Sequence, residues 1–106
     1  MLFRSLLGTV PCRGVIVTSR SCDPQFDFVS RAFFPRLGVD EDPVCGSAHC
    51  FLAPFWAAKL GRDTLTAHQV SKRGGVVKVR LQGDRVALIG QAVTVLKSEL
   101  TACASP

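Results

Sequence analysis

Residues 41–61 read Glu-Asp-Pro-Val-Cys-Gly-Ser-Ala-His-Cys-Phe-Leu-Ala-Pro-Phe-Trp-Ala-Ala-Lys-Leu-Gly, a polar loop feeding an apolar helix. Ser47 suits the N-cap, where its hydroxyl can accept from an orphan amide one turn in, and Gly46 lets the backbone come close to a ligand. Glu41 and Asp42 stand just upstream, where the positive end of the helix dipole favours anions. From Cys50 to Ala58 almost no polar side chain intervenes before Lys59, and Gly61 supplies a C′ stop. A helix apolar on all sides and too short to span a bilayer is expected to be enclosed by the rest of its domain. Pro54 removes the bond to the Cys50 carbonyl and predicts a kink rather than a break, because the apolar pattern resumes after it.

Outward from this helix the pattern changes period. Ahead of it, Gly14 to Ser19 is a β-branched run of strand length, and Phe26 to Phe34 alternates with Phe26, Phe28 and Ser30 on one face. Pro35 to Val39 reads as a turn, and Asp40 to Gly46 as an acidic loop. Behind it, Thr64 to Ser71 alternates Leu65, Ala67 and Gln69 against Thr66, His68 and Val70, and Val76 to Leu81 repeats that alternation after a Gly74-Gly75 turn. Gln82-Gly83-Asp84 makes a hairpin loop, and Arg85 to Ile89 and Ala92 to Leu96 complete the meander with Gly90 as a corner. The expected fold is α+β: two strands, one helix, then at least four antiparallel strands, with the curved sheet wrapped around the central helix.

Composition narrows the function classes. A chain of 106 residues fits one domain with one core, and 47% hydrophobic with 20% charged residues is ordinary globular composition. The net charge of +5 is scattered, with neither a basic stripe nor interleaved stacking aromatics, so nucleic acid is not the expected partner. No apolar run reaches membrane-spanning length, which predicts a soluble protein with no membrane partner. Five cysteines at irregular spacing predict free thiols in a reducing compartment, taken as the cytoplasm. Residues 1–12 are a lead-in or an organelle-targeting segment, acid-free with Arg4 among Ser, Thr and Leu, and 13–106 the folded domain. A zinc site would have to recruit Cys45, His49, Cys50 and His68, yet no paired C-x-x-C is present, so no metal is expected.

Several separated motifs carry a family resemblance. Asp27-Phe28-Val29-Ser30-Arg31-Ala32-Phe33-Phe34-Pro35, Gly38, Glu41 through His49, Leu52-Ala53-Pro54-Phe55-Trp56, Gln69-Val70-Ser71 and Arg73-Gly74-Gly75 occur in that order. Together they resemble the PhzF-like isomerases of phenazine biosynthesis and their relatives, over about Arg13 to Leu100. The resemblance implies one half, the C-terminal one, of a diaminopimelate-epimerase-like fold, in which two similar domains each wrap a sheet around a helix and hold the active site between them. It implies a cofactor-independent proton shift on a small carboxylic acid, with the principal acid/base glutamate and a nearby histidine in the other half. What carries over is Asp42 as acid/base or polarising carboxylate, Ser47 as hydroxyl donor, and the Gly46 and Ser47 amides as an anion cradle. Free amides at a helix start bind a carboxylate and stabilise charge that builds as the α proton leaves.

Cys45 stands where relatives most often have Thr. Before Gly-Ser it mimics the thiol signature of the sister epimerases, and a thiol at a helix N-terminus can serve as a base. Two readings stay open, a tolerated near-isosteric replacement or an epimerase base. His49, in the first turn, is expected to donate to a loop carbonyl rather than touch substrate, and His68 to take a surface or edge role. Arg73 is either a solvated turn residue or a contact to the other domain. The half-chain is expected to be inactive alone and to pair with a missing N-terminal domain or with a second copy. A non-catalytic interaction module of the same family is the competing reading.

Overall fold

The computed structural model describes Leu6, Thr9 and residues 11–102. Most of the 1–12 lead-in falls outside these residues. β1 (Val15–Arg20), β2 (Phe28–Phe34) and β3 (Val39–Asp42) precede the helix α1 (Gly46–Leu60), and β4 (Thr64–Gln69), β5 (Gly75–Gln82) and β6 (Arg85–Ile89) follow it. They form one six-stranded sheet in the order β1-β2-β4-β5-β6. β3 lies beside the second half of β2, beyond the stretch Phe28–Ser30 that pairs with β4. Every ladder is antiparallel except β2 with β4, which meet side by side in the sheet although β3 and the helix lie between them in sequence. A crossover helix between neighbouring strands makes such a pair parallel.

Alternation sets the inner face. Phe28, Ser30 and Ala32 of β2, Leu65, Ala67 and Gln69 of β4, and Val77 and Val79 of β5 are all buried. Against them α1 packs Ala48, His49, Leu52, Ala53, Trp56 and Ala57. Phe28 and Trp56 stack at 5.7 Å between ring centroids, and the Trp56 indole donates to Thr18 Oγ1 at 2.9 Å, which ties the helix to β1. Asp27 bonds the Thr66 amide and pairs with Arg62. Burial pushes its carboxyl up, but the Thr66 amide and Arg62 outweigh that and hold it below the usual carboxylate range.

Four expectations need correction. The helix starts at Gly46 with Cys45 as its N-cap, and no side chain caps it; Ser47 is already in the first turn, too far along to cap. The acidic stretch is partly a strand: Val39–Asp42 pairs with β2, with Arg31 donating to both Glu41 carboxylate oxygens at 2.8 Å. That pairing and ion bridge override the poor strand propensity of Asp and Glu. The helix is not enclosed, because the sheet covers one side only; Cys50, Phe51, Pro54, Phe55 and Ala58 are exposed on the other, Phe51 by 74%. Finally, three strands follow the helix among the described residues, since residues 91–101 form no strand and have no ladder partner. The helix runs through Pro54 and stops at Gly61, whose φ of 69° is the left-handed cap conformation.

Candidate functional site

A cleft of about 300 Å³ opens at the start of α1. Its polar wall is Arg13, Asp42, Gly46 and Ser47, with Cys45 below them, and its apolar wall is Phe34, Leu37, Val39 and Val44. β3 delivers Asp42 as its last residue, three residues before the helix cap, so the carboxylate and the first-turn amides share one rim. The first amides of a helix have no intrahelical acceptor, and here the cap side chain supplies none either. A methyl on Gly46 would meet only Leu88 Cδ1 at 3.5 Å, an ordinary contact. A methyl would therefore be tolerated there, so packing within the chain does not itself require glycine at this position.

Four of the five residues singled out from sequence, Asp42, Cys45, Gly46 and Ser47, line this cleft. Asp42 is half-buried and Ser47 exposed. Cys45 is 5% exposed, and its Sγ lies 3.4 Å from Ser47 Oγ. His49 turns the other way, into the core. Its Nδ1–H donates to the Cys45 carbonyl at 2.6 Å, which leaves Nε2 the unprotonated nitrogen, buried and without a partner beside the Phe28 ring. Burial lowers its pKa, opposed by the bond to the Cys45 carbonyl. His68 packs against Phe26 with ring centroids 4.6 Å apart in a tilted arrangement and is half-buried, and Arg73 is exposed in the turn before Gly74. Among the described residues no group of three His, Cys, Asp or Glu side chains is placed to hold a metal ion.

Two contributors were not marked as site residues from sequence. Arg13 brings a guanidinium to the cleft mouth, held over the Phe34 ring at 5.9 Å; its position just ahead of a strand gave no signal of this. Gln69 is 0% exposed, with Nε2 donating to the Asp42 carbonyl and Oε1 accepting from the Cys45 amide, both at 2.7 Å. Ser71 Oγ donates to the Pro43 carbonyl at 2.8 Å and accepts from the Gly74 amide. The available signal was a lone glutamine on the apolar face of an alternating strand, since a buried amide needs partners.

Comparison with known proteins places this geometry in context. A family model described as phenazine biosynthesis-like protein matches residues 3–98. An uncharacterised isomerase of Halalkalibacterium halodurans is 59% identical over 96 residues, 91% of this chain and 36% of that protein. Phenazine biosynthesis-like domain-containing protein 2 of Mus musculus is 45% identical over 96 residues, 85% of this chain and 33% of that protein. Among solved structures, a phenazine biosynthesis PhzF-family protein of Enterococcus faecalis superposes with a TM-score of 0.75 at 46% identity, over 80% of this chain and 32% of that one. The chain spans about a third of the length of the relatives it matches.

Proposed function

Since the chain belongs to the phenazine biosynthesis-like protein family, we propose that it supplies one half of an isomerase site that shifts a proton on a small carboxylic acid. The observation that carries this reading is the cleft lined by Arg13, Asp42 and the first-turn residues Gly46 and Ser47 of α1. A substrate carboxylate accepts from the Gly46 and Ser47 amides while Arg13 adds positive charge at the mouth. When the α proton leaves, charge builds on the carboxylate oxygens, and the same donors hold it more strongly than in the ground state. Asp42 takes or returns that proton, Ser47 donates a hydroxyl, and the apolar wall of Phe34, Leu37, Val39 and Val44 receives the hydrocarbon part. The shift moves one proton between two carbons and consumes no co-reactant. The second acid/base group comes from the remaining length that relatives possess.

The test combines this chain with a separately made first domain from a full-length relative. Proton exchange with deuterated water is followed at the α carbon of candidate acids. Exchange that appears only in the mixture and is lost in Asp42→Asn supports the reading. No exchange with any acid favours a second reading, an interaction module that pairs with a full-length relative or with itself. That reading draws on the exposed Phe51 and Phe55 of α1 and on the exposed Val93, Val95, Leu96 and Leu100 beyond β6, apolar side chains that a partner could cover. A third reading makes Cys45 the base, because its thiol sits at the helix start against Ser47 Oγ. Exchange that survives Cys45→Thr removes it.

A further inference from the structure

We infer that Gln69 is the positioning residue of this cleft: its buried amide fixes the Asp42 carbonyl and the Cys45 amide together, and so aims the Asp42 carboxylate and the first-turn amides at one point. This rests on the anion-binding reading above. Gln69 does not line the cleft and acts only through the loop.

The loop from Asp42 to Cys45 is held peptide by peptide from the end of β4. Gln69 donates to the Asp42 carbonyl and accepts from the Cys45 amide at 2.7 Å each. Ser71 donates to the Pro43 carbonyl between them. Val44 fills the space over Gly75, where a side-chain methyl would collide with it, so the loop packs directly on the first residue of β5. A planar primary amide is the side chain that offers a donor and an acceptor side by side, which the two ends of this loop require. On its own strand Gln69 continues the buried row of Leu65 and Ala67, where an apolar residue would fill the same space. The glutamine is therefore matched to the loop and not to the sheet, since a buried amide without these two partners is unfavourable.

Two substitutions separate positioning from space-filling. Gln69→Leu keeps the bulk and loses both bonds. Gln69→Glu keeps an acceptor for the Cys45 amide and, when ionised, loses the donor to Asp42. A filler role ranks Leu above Glu, because Glu buries charge; a positioning role ranks Glu above Leu at the loop. Hydrogen exchange of the Cys45 amide is measured against the Val79 amide inside the sheet, together with benzoate titrations followed at the Gly46 and Ser47 amides. Gln69→Leu is expected to speed Cys45 exchange about tenfold relative to Val79 and to weaken benzoate binding by a similar factor, the worth of about one lost hydrogen bond. Gln69→Glu is expected to keep most of the Cys45 protection. Unchanged relative exchange in the Leu variant, or Glu and Leu variants that lose protection equally, overturns the inference. Should the Glu variant fail to fold, the Leu variant decides alone, with wild-type benzoate affinity as the contrary result. If the wild-type protein shows no benzoate shift at Gly46 and Ser47, the anion reading falls, while Cys45 exchange still decides whether Gln69 sets the loop.

Discussion

Two stretches of this chain carry the same alternating, β-branched pattern and end differently. Thr64 to Ile89 folds into β4, β5 and β6, with Leu65, Ala67, Gln69, Val77 and Val79 buried. Ala92 to Leu96 is equally strand-like in sequence, yet it has no ladder partner, and Val93, Val95 and Leu96 are 85%, 90% and 78% exposed. Alternation makes the chain extended, while burial requires a neighbouring strand and a covering element. β4 and β5 have both, since each lies between two strands and under α1.

This contrast is broken first in the closed part. Phe28→Ala removes a fully buried ring stacked on Trp56, and denaturant unfolding is expected to show a loss of about 3–5 kcal/mol. Val79→Ala, in the middle of β5, is expected to cost about 2 kcal/mol by the same measurement. A third effect is pH-dependent. Burial holds the His49 pKa below its reference value of 6.5, so the unfolded chain binds a proton that the folded chain resists. The stability from His49 is full above pH 6.5 and is lost as pH falls through the lower folded value. His49→Gln, which cannot titrate, should flatten this part of a thermal-melt series across mildly acidic pH. Gly61→Ala forces an L side chain into the left-handed cap with nothing crowding the new methyl, and should cost about 1 kcal/mol of backbone strain alone. Val95→Ala is expected to change unfolding by less than about 0.5 kcal/mol, because the side chain is already in solvent. A cost at Val95 equal to that at Val79 would show that residues 91–101 are packed, and the contrast would fail.

Legibility in the sequence follows the same division. Gly61 as the helix stop, the inward rows of β2, β4 and β5 and the hairpin at Gly83-Asp84 could be read because they depend on local period and turn chemistry. β3 could not, because Asp40, Glu41 and Asp42 look like loop until Arg31 across the ladder pairs with Glu41. Arg31 raises the proton affinity gap of that pair from both sides: the bond lowers the Glu41 pKa and raises its own. The cap at Cys45, two residues ahead of Ser47, is not legible, since a serine near a helix start resembles a cap and Cys45 makes no side-chain capping bond. Asp42, Cys45, Gly46 and Ser47 were legible as one group because they are close in sequence. Arg13 and Gln69 come to the loop from 29 and 27 residues away from Asp42, and only the fold brings them there.

The most direct measurement is the wild-type chain titrated with a small carboxylate such as benzoate and followed amide by amide. Saturable shifts centred on Gly46 and Ser47, reduced when Arg13 is replaced by Gln, are the expected result. Shifts spread over exposed lysines and arginines, with Gly46 and Ser47 unmoved, would contradict the account of this cleft as the place where the acid is held.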